Sequence, residues 1–229
     1  MIHTHRTSDL FETTATTPTN TVMRGDCIEV MRSMPEGSVD LIVTDPPYLV
    51  NYHSRDGRGY PSDDNDRWLE PAFAEAFRVL RPDRVCVSFY GWPRADRFLG
   101  AWRKVGFRPI AHLVFVKRYS SAVRFVRYQH EQAYVLAKGR PANPAEPIGD
   151  VITWDYTGNR LHPSQKPVSV FTPLIHAFSE PGELVLDPFC GSGSSLVAAR
   201  DLGRAYIGIE LTHRYHQIAA SRLGLATAA

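Results

Sequence analysis

Residues 183–210 read ELVLDPFCGSGSSLVAARDLGRAYIGIE, and the period of the apolar pattern changes along them. ELVLD (183–187) is a nearly unbroken apolar run closed by an acid, the pattern of a strand buried on both faces. A turn containing Gly191 and Gly193 follows, and SSLVAARDL (194–202) then has helical apolar spacing. AYIGIE (205–210) is a second apolar run that again ends in an acid. Strand, glycine turn, helix and strand in immediate succession predict a βαβ unit and therefore a parallel sheet.

The same alternation extends outward. VDLIVT (39–44), RVCVSFYG (84–91), IAHLVFVK (110–117) and EQAYVLAKG (131–139) read as strands. RWLEPAFAEAFRVL (67–80), PRADRFLGAWRKVGF (93–107), PVSVFTPLIHAFS (167–179, in spite of Pro173) and HRYHQIAASRL (213–223) read as helices. This is the signature of an α/β fold: a Rossmann-like, doubly wound sheet, mostly parallel, with helices on both faces. Residues 1–20, polar and threonine-rich, are expected to form a flexible N-terminal arm, with residues 21–229 as one domain. Two segments stand outside the alternation and are expected to form a small insertion: about 49–66, a polar loop, and 118–130.

Composition bounds the function. A hydrophobic content of 43% with 22% charged residues is that of a globular chain. No run approaches the ~18 consecutive apolar residues of a membrane span, and the N-terminus lacks a signal-peptide layout. Cys27, Cys86 and Cys190 form no CxxC pair, which argues against zinc and against disulfides and fits a reducing cytoplasm. His213 and His216 have no further ligands beside them, so no metal is expected. The net charge is only +2, yet from Arg97 to His130 there is no Asp or Glu. Eight cations lie there: Arg97, Arg103, Lys104, Arg108, Lys117, Arg118, Arg124 and Arg127. Such an island attracts phosphate, and interleaved aromatic rings can stack on bases. Most of those rings (Phe98, Trp102, Phe107, Phe115, Tyr119, Phe125, Tyr128) are expected to be core all the same.

Two stretches carry chemistry. Gly191 and Gly193 let the backbone approach a ligand at a helix N-terminus. Glu210, at the tip of the neighbouring strand, is placed to grip the two hydroxyls of a ribose. A dinucleotide fingerprint would have a third glycine where Leu196 stands, so a pyrophosphate is disfavoured and S-adenosyl-L-methionine fits better. Asp187 would lie near its ammonium. In LIVTDPPYLV (41–50), a strand runs into an acid, two prolines and a ring. An exocyclic amine held beside a methyl sulfonium needs two acceptors, which Asp45 and the Pro46 carbonyl supply. Pro46 and Pro47 stiffen the segment, and Tyr48 gives an extruded base a stacking face.

With these motifs in this order, the chain resembles the permuted β group of DNA N6-adenine methyltransferases. DPPY (45–48) matches the catalytic motif, DPFCGSG (187–193) the cofactor motif and GIE, ending at Glu210, the ribose acid. HPSQKP (162–167) and RGDCIEVM (24–31) match the flanking motifs. The resemblance implies a seven-stranded sheet with one reversed strand, and direct methyl transfer without a cysteine nucleophile. It implies a cofactor pocket from Asp26, Cys27, Asp45, Lys166, Asp187, Pro188, Phe189, Cys190, Gly191, Ser192, Gly193, Glu210 and Leu211; Lys166 itself reads equally as a partner of the cofactor carboxylate and as a surface lysine ahead of Pro167. Double-stranded DNA is the implied partner, contacted by Asn51, Tyr52, Arg55, Arg58, Lys117, Arg118, Arg124 and Arg127, and a homodimer is suggested. The rival readings are an N4-cytosine DNA methyltransferase, an RNA adenine methyltransferase and a non-catalytic nucleic-acid-binding module. Asp45 favours adenine over cytosine, where serine would be expected, and Tyr48 in place of tryptophan disfavours RNA.

Overall fold

The computed structural model describes residues 18–50, 63–156, 161–162 and 165–226. The expected arm before residue 18, and Asn51, Tyr52, Arg55 and Arg58, lie outside the described residues. The strands are β1 (Thr21–Arg24), β2 (Val39–Thr44), β3 (Leu80–Phe89), β4 (Arg108–Lys117), β5 (Ala122–Val123), β6 (Arg127–Tyr128), β7 (His130–Lys138), β8 (Val151–Trp154), β9 (Leu184–Asp187) and β10 (Ala205–Glu210). The α-helices are α1 (Cys27–Arg32), α2 (Leu69–Val79), α3 (Ala95–Lys104), α4 (Val168–Phe178), α5 (Ser194–Asp201) and α6 (His213–Arg222).

Eight of these strands form one sheet in the order β1–β10–β9–β2–β3–β7–β4–β8, and β5 and β6 form a separate hairpin. Among the described strands of the sheet, only β7 is reversed; it pairs antiparallel with both β3 and β4. The sheet therefore has one strand more than the seven expected. The strands absent from the pattern reading, β1 and β8, are the two edges and have four residues each. That is too short for a period to show.

The pleat sorts the core into two layers. Leu41, Val43, Val85, Val87, Phe89 and Val185 pack on one side with residues of α4, α5 and α6. Ile42, Cys86, Leu136, Leu186, Ile207 and Ile209 pack on the other with α1, α2 and α3. Helix α4 survives Pro173 because it buries Val170, Phe171, Leu174 and Ile175. Four buried side chains at about 1.5–3 kcal/mol each outweigh about 3 kcal/mol for an internal proline.

The order also fixes the site. From β9 the chain winds through α5 to β10 on one side, and from β2 through α2 to β3 on the other. Strands β9 and β2 are parallel neighbours with Ile42 opposite Leu186, so their carboxyl ends form the switch-point crevice of an open α/β sheet. Asp187 and Asp45, distant in sequence, meet there. No described helix is long and apolar enough to cross a membrane.

Candidate active site at the switch point

The glycine turn after β9 is held from within. Asp187 is buried; its Oδ1 accepts from Thr44 Oγ1 at 2.9 Å and from the Phe189 N–H at 3.0 Å, and its Oδ2 from the Ser195 hydroxyl. These bonds tie β2, the turn and the first turn of α5 together. Burial pushes the Asp187 carboxyl up to about 7 against the opposing pull of those donors. Gly191 and Gly193 have φ of +52° and +77°, conformations that a side chain disfavours. A third close approach lies on the strand instead. A Cβ on Gly208 would come within 2.3 Å of Leu196 Cδ1 and 2.9 Å of Cys190 Sγ. The glycine missing from the turn at Leu196 is thus replaced by one on β10 across from it.

Glu210, at the end of β10, accepts from the Gly191 N–H at 3.0 Å and the Thr212 N–H at 2.7 Å. Burial raises its pKa and those donors oppose the rise. The Glu210 carbonyl receives the Gly25 N–H at 3.1 Å, which brings Asp26 to the same mouth. Asp26 caps α1 by accepting from the Ile28 N–H at 2.8 Å. Burial, seconded by Asp26, pushes the Cys27 thiol up to about 12, and Cys190 is raised well above the ordinary thiol range. Both therefore remain protonated thiols. His162 packs edge-on against Tyr215, with ring centres 4.2 Å apart, beside Gly191; burial lowers it to about 4, so the ring is neutral. Phe189 meets the edge of Trp68 at 5.2 Å, while Leu211 is exposed.

The Asp45–Tyr48 motif lies one strand away, and the structure surrounds it with charge. The Lys166 ammonium pairs with Asp45 Oδ2 and donates to the Tyr48 hydroxyl at 3.0 Å. Tyr48 donates to Asp45 Oδ1 at 2.9 Å, with Glu131 Oε2 at 3.4 Å, and Glu131 in turn is paired with Lys117. Asp45, Lys166, Tyr48, Glu131 and Lys117 are therefore one continuous chain of two acids, two ammonium groups and a phenol. Burial raises the Asp45 pKa; Lys166 is the largest opposing influence. Burial, then Asp45 and Glu131, raise Tyr48 well above the usual phenol range, so it stays a neutral donor.

Two sequence expectations are corrected here. Lys117 is not a phosphate contact: its side chain is 5% exposed, paired with Glu131 and 4.9 Å from the centre of the Trp154 ring. Leu113, Phe115 and Lys117 share the buried side of β4, and the acid from β7 compensates the cation there. Lys166 is not a surface lysine: it is buried, paired with Asp45 and packed among the Tyr48, Phe89 and Trp154 rings. The other basic candidates of this segment, Arg118, Arg124 and Arg127, are exposed. Phe98, Trp102, Phe107 and Phe115 are core, whereas Phe125 is fully exposed.

Several residues that shape the site were not legible as such. Leu49, directly after the motif, has φ +60°, a conformation costly for a leucine. Its burial and the hydrogen bond from Arg94 Nε to its carbonyl, 3.2 Å, hold it there. Gly91 lies against Tyr48: a Cβ would come within 2.8 Å of Tyr48 Cβ and 2.9 Å of its carbonyl oxygen. Glu131 did leave a trace, as the first acid after the acid-free stretch 97–130.

Comparison with known proteins agrees with this geometry. A family model described as DNA methylase, of the N6/N4 methyltransferase class, matches residues 39–221. "Putative methylase YubD" of Escherichia coli (strain K12) is 53% identical over 201 residues, 88% of each chain. A putative DNA modification methylase of Thermus thermophilus, TTHA0409, solved in complex with S-adenosyl-L-methionine, superposes with a TM-score of 0.67 at 25% identity, over 89% of this chain and 94% of that one. The cytosine-N4-specific PvuII DNA methyltransferase has the same fold, with a TM-score of 0.74 at 20% identity over 90% and 87% of the two chains. From its motifs, its sheet order and the match over most of its length, the chain belongs to the N6/N4 DNA methylase family.

Proposed function

We propose that this protein transfers a methyl group from S-adenosyl-L-methionine to the exocyclic N6 amine of an adenine turned out of double-stranded DNA. The observation that carries the reading is the junction of the two motifs: Thr44, the residue before Asp45, donates to Asp187 of the cofactor turn. The donor turn and the acceptor motif are thereby fixed to each other through the two central strands.

The residues present fit the cofactor. Glu210 sits at the mouth of the turn with both oxygens able to accept further from a diol, and no side chain at Gly191 or Gly193 fills the approach. Asp26, Glu210 and residues 187–193 would hold it, and it would supply an electrophilic methyl on a sulfonium. The protein's part is placement. Asp45 and the Pro46 carbonyl would accept the two N–H hydrogens of the amine, which directs its lone pair outward. Lys166 opposes the rise that burial imposes on the Asp45 carboxyl and so favours its ionised, accepting form. Aspartate in the motif supports adenine over cytosine.

The deciding experiment is mass spectrometry of nucleosides from unmethylated plasmid DNA incubated with the protein and S-adenosyl-L-methionine. N6-methyladenine is the expected product. N4-methylcytosine would overturn the substrate but leave the family intact, and methylation of RNA alone would overturn the polymer.

Gly91 offers a narrower test. A Gly91→Ala enzyme should fold and bind cofactor normally, because the atoms nearest the intruding methyl belong to Tyr48 and not to the cofactor turn. Its methylation rate should fall about tenfold or more, since small displacements of a positioning group are costly. An unchanged rate would mean that Tyr48 can move without consequence.

A further inference from the structure

The hairpin of β5 and β6 presents a combination that the transfer reaction does not use. It pairs Ala122 with Tyr128 and Val123 with Arg127, which leaves Arg124, Phe125 and Val126 as a three-residue tip. Val123, Phe125 and Val126 are all exposed, Phe125 fully so. Arg118, Arg124 and Arg127 surround them and are exposed too. At the base of the hairpin Trp92 stacks on Tyr128, with centroids 6.2 Å apart and planes 19° from parallel. Apolar side chains held in water at the end of a basic finger are unusual on a monomer surface and mark a contact.

The position of the hairpin says what it contacts. It joins β4 to β7 at the carboxyl edge of the sheet, the edge that carries Asp45. Its two roots are Lys117 and Glu131, the ion pair from which Glu131 reaches the Tyr48 hydroxyl. A duplex lying along the arginines with one base turned out against Tyr48 has a gap in its stack. A base leaves the helix at the expense of pairing and stacking, and an apolar wedge flanked by cations is the chemistry that fills such a gap. The surrounding guanidinium groups make a polyanion the complementary partner and disfavour a second, equally basic copy of this tip.

Resting on the DNA-methylation reading, we infer that Phe125 at the tip of the 118–130 hairpin is a wedge that enters the duplex and holds open the place of the extruded base. The test compares wild type, Phe125→Ala and Phe125→Trp on one plasmid preparation, either duplex or heat-denatured to single strands. Phe125→Ala should lose about 10- to 100-fold in kcat/KM on duplex, the range of a partly uncompensated unstacking, and stay within about twofold on single strands, which have no gap to fill. Phe125→Trp should retain the duplex rate, and its added indole should be quenched on binding duplex. Equal losses on both substrates, or no loss on duplex, would overturn the wedge. So would a wild type that is dimeric and a Phe125→Ala variant that is monomeric, since the ring would then cover a second copy. A wild type inactive on both DNA forms would instead sink the DNA-methylation reading itself, and the wedge with it.

Discussion

A Lys166→Met enzyme is expected to methylate DNA about 10- to 100-fold more slowly than wild type at pH 7, and to recover part of that rate as the pH is raised. Asp45 is largely shielded from water, and that desolvation raises its carboxyl above the usual carboxylate range; the Lys166 ammonium is the largest influence opposing the rise. Methionine keeps the shape and the apolar contacts with Phe89 and Trp154 but removes the charge. The Asp45 pKa then rises, each unit corresponding to a tenfold change in the ionised fraction. On the proposed reading activity requires the carboxylate as acceptor and falls as the pH drops through this pKa, so the acid limb of the rate profile should move to higher pH. Asp45→Ala, with no carboxylate to restore, should be about 10²–10³-fold down at every pH. Cofactor affinity, measured by calorimetry, should be unchanged in Lys166→Met. If affinity falls while the acid limb stays in place, Lys166 serves the cofactor carboxylate, as its place in HPSQKP first suggested.

The contrast between Lys166 and Asp45 shows where sequence stops. DPPY and DPFCGSG are local: a strand that ends in an acid followed by proline can be read without knowing its neighbours. The succession of strands and helices follows nearly as directly, because buried strands and amphipathic helices alternate, and in the main sheet the short edges β1 and β8 escape. Partners contributed from across the sheet are different. Lys117 looked like part of a basic island because a sequence records charge and not the face on which it falls. In retrospect it shares the parity of Leu113 and Phe115, which pointed inward. Glu131 is paired with it from the adjacent antiparallel strand, a register that no local pattern specifies. Gly91 and Leu49 act through backbone space and a left-handed φ, and neither has a signature in composition.

The largest stability effects are expected at the Lys117–Glu131 pair, and they should be unequal. Glu131→Gln leaves the Lys117 ammonium, 5% exposed, facing the Trp154 and Tyr119 rings without its carboxylate, so the loss should be about 4–5 kcal/mol, the upper end for breaking a buried pair. Lys117→Met leaves Glu131, which is 22% exposed and retains the Tyr48 hydroxyl, so about 3 kcal/mol is expected. The double variant should recover most of the loss, because a methionine and a neutral amide need no counterion. Urea midpoints at an unchanged m-value measure all three. Activity should not follow stability in that cycle. The double variant weakens the acceptor that steadies Tyr48, so it should fold nearly as well as wild type and still methylate DNA about tenfold more slowly. A double variant with full activity would make the pair a structural clamp of β4 to β7; one that folds but is slow would show that the charge chain reaches through Tyr48 to the reacting amine.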